Sequence, residues 1–171
     1  MTTPPTLTTD RLTLCPLGPQ HFAPVRAFYA SPRSRFVGGP QNEDQAWRTL
    51  AAEIGHWTLR GYGRWAIELT ATGEMVAMIG AWNPEGWPEP EIGWDVMNGH
   101  EGHGYATEAG RAARDWLYEV KGWTTAISLI ADGNHGSEGV AKRLGAVEER
   151  KFTHVTFGPM AIWRHPAKGA P

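Results

Sequence analysis

Residues Glu91 to Met97 (EIGWDVM) read as a strand. A few positions on, in HEGHGYATEA, two glycines stand one residue apart at the mouth of a long helical pattern. From Tyr105 to Lys121 the apolar positions Ala106, Ala109, Ala113, Trp116, Leu117 and Val120 follow i, i+3, i+4 spacing, with Glu108, Arg111, Arg114 and Asp115 mostly between them. Gly122 ends the pattern where helices usually stop. A strand that feeds through a glycine turn into an amphipathic helix constrains the fold more than any other stretch, because the helix must bury its apolar stripe against a neighbouring layer.

The same unit carries a chemical expectation. The first N–H groups of a helix have no partner within it and sit at the positive end of its dipole, which makes an anion site suited to phosphate. Gly102 and Gly104 let the backbone bend and approach a ligand with no Cβ in the way. A tight strand-to-helix connection with no ligand satisfies the same residues. Two familiar phosphate loops are excluded: no Gly-Lys-Ser/Thr follows the glycines, and Thr107 stands where a dinucleotide fingerprint needs its third glycine.

Around this unit, Arg11–Leu17 alternates as a strand, and Phe22, Val25 and Phe28 are spaced as on a helix interrupted by Pro24. PRSRFVGGP (32–40) is loop-like. Asn42 and Gln45 resemble a capping box that opens a helix through Trp57. GRWAIEL and MVAMIGAW form a hairpin over TATGE, and a Pro/Gly loop leads into EIGWDVM. After Gly122 come a buried-type strand (TTAISLIA), a short helix (SEGVAKRLGA) closed by Gly145, and a strand pair within THVTFGPMAIWRHP. The order β-α-α-β-β-β-α-β-α-β-β is mixed α/β. No linker is long enough to divide it, so a single domain is expected over 1–171, with its core at about 7–166 and short frayed termini.

Composition bounds the function. At 171 residues, 41% hydrophobic and 20% charged, the chain can bury an ordinary core. Its net charge of −2 gives no basic surface for nucleic acid or anionic lipid. Cys15, the lone cysteine, excludes an intrachain disulfide and reads as a core residue, and no run approaches a membrane span. A cytoplasmic location is expected. His100 and His103 lack both a third ligand and the i, i+4 spacing of a zinc helix, so no metal is expected. The nine tryptophans show no repeat and read as core packing.

Four motifs in order resemble one family. GHGYATEA after EIGWDVM looks like the acetyl-coenzyme-A loop of GNAT N-acetyltransferases, with Glu101-Gly102-His103-Gly104-Tyr105-Ala106 on its Gln/Arg-x-x-Gly-x-Gly/Ala pattern. NHGSEGVAKRLGA matches Asn-x-x-Ser-x-x-Val-x-x-x-Leu-Gly at Asn134, Ser137, Val140, Leu144 and Gly145. TTDRLTLCPL and IWRHP resemble the RimJ/RimL-like branch, which acetylates ribosomal-protein N-termini and similar amines. The resemblance runs over about Leu7 to Pro166.

The resemblance implies a mostly antiparallel sheet splayed between its fourth and fifth strands, with helices on both faces and acetyl-CoA in the gap. The backbone of Trp94, Asp95 and Val96 would pair with the pantetheine amides. Glu101, Gly102, His103, Gly104, Tyr105, Ala106 and Thr107 would surround the pyrophosphate, and Asn134 and Ser137 would lie against the cofactor. As a bare sequence feature, Asn134 is equally a helix cap. Glu91 is the implied base, acting through water, although in PEPE it also reads as a surface carboxylate. Ala141 replaces the tyrosine that serves other members as general acid, leaving Ser137 as the fallback donor.

Glu101 replaces the usual Gln or Arg, and a carboxylate beside a pyrophosphate repels it unless it points into solvent. Lys142 and Arg143 are candidate phosphate contacts. Tyr29, Phe36, Trp82 and His154 are candidates for the acceptor pocket, with Arg33 and Arg35 as selectors of an acidic acceptor. The acceptor is expected to be an amine, taken by direct attack on the thioester by a monomer or homodimer. An α-amine (pKa about 7.7–8.0) reaches its neutral form about 3.5 kcal/mol more cheaply than a lysine (about 10.4). The departures at 101 and 141 keep a rival in view, a non-catalytic acyl-CoA binding module.

Overall fold

The computed structural model describes residues 3–170. An eight-stranded sheet runs in the order β1-β2-β3-β4-β5-β6-β8-β7. Its strands are β1 (Leu7–Thr8), β2 (Leu12–Cys15), β3 (Arg64–Leu69), β4 (Met75–Trp82), β5 (Glu91–Val96), β6 (Ile127–Ala131), β7 (Val147–His154) and β8 (Gly158–Arg164). Every pairing is antiparallel except β5 with β6. The two-residue β1 escaped the sequence reading, so the expected fourth and fifth strands are β5 and β6.

Helix α1 (Phe22–Ala30) and helix α2 (Glu43–Arg60) cover one face of the sheet, where Val25, Phe28, Ala46 and Leu50 meet Ala66 and Met78. Helix α3 (Tyr105–Glu119) covers the other, with Ala106, Ala109 and Ala113 on Ile67, Ala77 and Ile79. Short α4 (His135–Arg143) follows β6. Side-chain alternation divides the central strands. Arg64 and Ala66 on β3, and Glu91, Gly93 and Asp95 on β5, therefore face α1 and α2, whereas Ile92, Trp94 and Val96 face α3.

The Asn42 capping box forms as read: Asn42 Oδ1 accepts the Gln45 N–H at 2.9 Å and Gln45 Oε1 accepts the Asn42 N–H at 3.0 Å. Pro24 does not interrupt α1 but lies in its first turn, where its missing N–H costs no helical bond. Residues Pro32–Phe36, expected as loop, form a short 3-10 helix. β7 begins at Val147, well before the expected Thr153, because it is an edge strand whose VEERK stretch is exposed and lacks apolar alternation.

Two hydrogen bonds hold residues 166 and 168 to α3. Tyr118 donates its hydroxyl to the Pro166 carbonyl at 2.8 Å, and Lys168 Nζ donates to the Tyr118 carbonyl at 2.9 Å. Met1, Thr2 and Pro171 lie outside the described residues. Trp57, Trp65 and Trp116 pack as a three-ring cluster, with centroids 4.8–5.8 Å apart. Among the described residues, no helix is long and apolar enough to cross a membrane.

Candidate active site

β5 is paired with β4 along its whole length but touches β6 through a single register pair, Glu91 with Ile127. Beyond Glu91 the two strands diverge, and the sheet opens into a cleft. In an antiparallel ladder the backbone polar groups of alternate residues point toward the partner and away from it. Met97 donates its N–H to the Val76 carbonyl on β4, so residues 91, 93 and 95 also address β4, and 92, 94 and 96 address the gap.

Two of those outward carbonyls already have partners. Ser128 Oγ donates to Ile92 C=O at 2.6 Å, and Arg33 Nη1 to Val96 C=O at 2.8 Å. Of the trio Trp94, Asp95 and Val96, Trp94 therefore offers both its backbone groups to a ligand. The Asp95 backbone pairs with β4 instead, opposite Met78.

A cavity of about 740 Å³ runs from this gap over the glycine turn; Trp94, Asp95, Val96, every residue from Glu101 to Thr107, Asn134, Ser137 and Arg143 line it. Gly102 and Gly104 have φ of +78° and +79°, left-handed values that glycine adopts without strain, and a Cβ at Gly102 would meet nothing within 4 Å. The first bond of α3 runs from the Glu108 N–H to the Gly104 carbonyl at 3.0 Å, so the N–H groups just ahead of it stay available for an anion. Free backbone donors, an open turn and a helix N-terminus fit the pyrophosphate arm of a coenzyme A thioester.

Glu101 does not oppose that fit. Its Oε1 lies 2.6 Å from Arg33 Nε, on the 3-10 helix, which also donates to Asn98 Oδ1 at 2.9 Å. The pair neutralises the carboxylate and ties the glycine turn to the segment after α1. Arg33 is thus committed to the cofactor cleft. Arg35 lies over the Phe36 ring and donates to the Pro32 carbonyl, so neither arginine lines the second cavity described below. Arg33→Ala is expected to weaken acetyl-CoA binding several-fold by releasing Glu101. Arg33→Ala/Glu101→Gln should recover most of that loss, as calorimetry on the four proteins of the cycle would measure.

α4 supplies the opposite wall. Asn134 Oδ1 caps α4 by accepting the Ser137 N–H at 3.3 Å, so the cap reading and a cleft position coexist. Ser137 Oγ accepts the Trp94 indole N–H at 3.2 Å across the gap, leaving its own proton free to donate. Ala141 is fully buried against Ile130, Ala161 and Trp163 and does not reach the cleft. Arg143 donates to Thr107 Oγ1 at 3.2 Å, whereas Lys142 turns over the Trp163 ring.

A second cavity, of about 360 Å³, lies on the α1/α2 side, and Phe36 and Val37 line both. Tyr29, Phe36 and Trp82 line it. His154 does not: its ring packs at a tilt against Trp87 and Phe157, which do, with centroids 5.1 and 5.0 Å away. Glu91 is no surface carboxylate, being 5% exposed. It accepts the Leu129 N–H at 3.0 Å beside the branch point of the strands. Burial pushes its carboxyl up to about 7, against the pull of Arg64 and of that N–H.

The sequence reading named Tyr29 and Asp95 but missed Glu53 and Arg64, which join them in one cluster. Arg64 Nη1 donates to Asp95 Oδ2 at 2.8 Å, the Tyr29 hydroxyl donates to the same oxygen at 3.0 Å, and Glu53 Oε1 stands 3.6 Å from Arg64 Nη1. A Cβ at Gly93 would lie 2.8 Å from Arg64 Nη2, so this glycine leaves room for the guanidinium against the strand. Burial pushes Glu53 up to about 7 as well, Arg64 opposing and Asp95 and Glu91 adding to the rise. The available signal was a glutamate on the apolar stripe of α2, in register with Ala46, Leu50 and Trp57.

A carboxyl whose folded value lies above its ordinary 4.5 holds more protons folded than unfolded between 4.5 and about 7. Its contribution to stability therefore falls as pH rises through that window. Burial depresses His165 to about 3, which acts in the opposite direction below its ordinary 6.5, so the parent alone does not isolate the effect. The difference between parent and Glu53→Gln does. The variant should gain up to about 3 kcal/mol relative to the parent between pH 4.5 and pH 8, read from denaturation at each pH.

Cys15, His21 and Glu68 bring three possible ligand atoms within 4.8 Å of one another on β2, β3 and the turn before α1. His21 Nδ1 accepts the Gly18 N–H at 3.0 Å, which fixes its proton on Nε2, facing Glu68 Oε1 at 3.0 Å. Burial, then Glu68, pushes the Cys15 thiol up to about 11. The trio is arranged as hydrogen-bonded packing, with the histidine tautomer that a metal ligand would not use.

A splayed sheet with a glycine turn and helix N-terminus at its mouth defines a nucleotide-thioester cleft. The family model of the acetyltransferase (GNAT) domain matches residues 11–147, and the chain belongs to that family. An acetyltransferase from Agrobacterium tumefaciens str. C58 is 37% identical, with a TM-score of 0.88 over 95% of each chain. The ribosomal-protein-S5-alanine acetyltransferase from Vibrio fischeri superposes with a TM-score of 0.73 over 98% of this chain and 100% of that one; at 11% identity it shares the fold alone. The uncharacterized protein YkkB of Bacillus subtilis (strain 168) is 34% identical over 90 residues, which span 50% of this chain and 52% of that relative.

Proposed function

We propose that the chain is an N-acetyltransferase that moves the acetyl group of acetyl-CoA to a primary amine, the α-amine of a protein N-terminus or a small-molecule amine, in the cytoplasm. The observation that carries this reading is the buried Glu91 at the point where β5 leaves β6, on the wall of the second cavity, which adjoins the cleft of the glycine turn at Phe36 and Val37. The RimJ/RimL-like motifs support an N-terminal α-amine as one acceptor to be tested.

In this reading the N–H groups of residues 102–107 and Arg143 hold the pyrophosphate, and the Trp94 backbone and Asn134 orient the pantetheine arm. Acetyl-CoA, when bound, supplies the thioester whose carbonyl carbon the neutral amine attacks. Glu91, poised near neutrality by burial, takes the amine's proton through a water. Ser137, its oxygen already engaged by the Trp94 indole, offers its hydroxyl proton to the departing sulfur. Positioning does much of the remaining work, since two reactants held in adjoining cavities react as one molecule.

The test is a titration with acetyl-CoA followed by a thiol-release assay with small primary amines and with peptides bearing free N-termini. Micromolar binding with amine-dependent thiol release supports the reading. Binding without release from any amine leaves an acyl-CoA binding module, and no binding removes the cofactor from the proposal.

A further inference from the structure

Among the described residues, three buried side-chain atoms lack a hydrogen-bond partner: Glu53 Oε2, Arg64 Nε and Trp87 Nε1. All three belong to residues that line the second cavity. An orphaned buried polar group costs about 1–3 kcal/mol. That all three residues line one cavity, rather than being scattered through the core, marks a site that a ligand completes. What they offer is specific: one acceptor on a carboxylate, and two N–H donors.

The charges add a sign. Arg64 is matched by Asp95 at 2.8 Å, and Asp95 is further held by Tyr29. Glu53 stands off at 3.6 Å with one oxygen free, and Glu91 accepts the Leu129 N–H and is drawn on by the nearby Trp87 indole N–H, which meets no acceptor at full hydrogen-bond geometry. Three carboxyl groups thus surround one guanidinium, and once Glu53 and Glu91 ionise the surplus is negative. The walls are aromatic: Tyr29, Phe36, Trp82, Trp87 and Phe157. Aromatic faces and buried carboxylates together attract an organic cation more than a metal ion or a neutral solute. A cavity of about 360 Å³ is the size of a small-molecule site.

We propose that this cavity seats a small acceptor bearing an ammonium group and a hydrogen-bond-accepting oxygen, with Glu53 receiving the ammonium and the Trp87 and Arg64 N–H groups receiving the oxygen. That the occupant is an acceptor rests on the acetyl-transfer reading; the seat itself stands on the cavity. Glu53 is then a specificity residue: it draws in the charged amine, and Glu91 handles the proton. Arg33 and Arg35 lie outside the cavity, so an acidic acceptor has no partner there among them.

The experiment uses choline and its uncharged isostere 3,3-dimethylbutan-1-ol, neither of which has an amine to acetylate, in calorimetric titrations of the full chain. Choline should bind at least tenfold more tightly than the alcohol. Glu53→Gln should erase that preference, and Trp87→Phe, which keeps the ring and removes the N–H, should weaken choline several-fold. Unaltered acetyl-CoA affinity reports that each variant is folded. Equal binding of the two probes by the parent, or a preference that survives Glu53→Gln, overturns the proposal.

A turnover arm separates the two readings. With ethanolamine as acceptor, Glu53→Gln should raise KM at least tenfold and change kcat far less, whereas a merely structural role would move both together or neither. If choline is discriminated yet no amine releases thiol, the acetyl-transfer reading falls and the seat stands. If peptides alone are acetylated and choline does not bind, the seat falls and acetyl transfer stands.

Discussion

Glu91→Gln is expected to lower the turnover number about a hundredfold at pH 7 and to leave the acetyl-CoA dissociation constant within about twofold, the range that removal of a positioned general base produces. The amide keeps the shape of the carboxyl, and the Leu129 N–H still finds an acceptor, so β5 and β6 stay joined at their single pair. What is lost is the proton acceptor. In the parent the base must be ionised to act, so kcat/KM should rise tenfold per pH unit below about 7 and level off above it. The variant should lose that limb. Glu53 titrates in the same window, and the apparent value belongs to the pair rather than to either residue. A Glu53→Gln background, in which the limb shifts downward but persists, assigns the remaining titration to Glu91. Equal activity of parent and Glu91→Gln at every pH would remove Glu91 from the chemistry.

Gly104→Val should weaken acetyl-CoA binding by about fiftyfold or more in a chain that still folds. Gly104 sits at φ +79° as the residue before α3, and a Cβ there would meet only Arg11 Nη2, at 3.5 Å. The effect is therefore not a clash but backbone strain, about 1–3 kcal/mol for a non-glycine residue in this region and at the upper end for a β-branched one. The turn relieves the strain by rotating, and the N–H groups of Tyr105, Ala106 and Thr107 lose their common aim. A decade of affinity is about 1.4 kcal/mol, so even a partial loss of two such hydrogen bonds reaches the predicted effect. A melting curve separates lost binding from lost folding. Gly110→Ala is a control on the same helix: its Cβ lies 3.1 Å from Leu144 Cδ1, far from the turn, and it should affect stability without this loss of affinity.

The elements with a strong local signal were legible from residues alone. The stripe of α3, the Asn42–Gln45 box, the hairpin of β3 and β4, and the glycine turn each rest on interactions within a few residues, which periodicity and cap chemistry report directly. As a possible anion site the turn was legible for the same reason, because its donors are consecutive backbone N–H groups, whereas its assignment to coenzyme A came from the family resemblance. β7 was read short because an exposed edge strand needs no apolar alternation, and β1 because two residues carry no pattern. Arg33 was assigned to the acceptor because nothing near it in sequence announces Glu101, sixty-eight positions away and 2.6 Å distant.

The sequence by itself determined the order of the elements, the glycine conformations at 102 and 104, and the candidate residues of the cleft, since each follows from local sterics, local hydrogen bonds or a motif contiguous in the chain. Only the tertiary structure decided what those residues are worth. It buried Glu91 at a strand junction, took the Val96 carbonyl away from the cleft, neutralised Glu101, and gathered Glu53, Arg64 and Trp87 from α2, β3 and the loop before β5 around one cavity, with Asp95 of β5 paired to Arg64. Burial and charge pairing are sums over neighbours that are distant in sequence, and these sums set both the proton affinity of a carboxylate and the sign of the ligand it attracts.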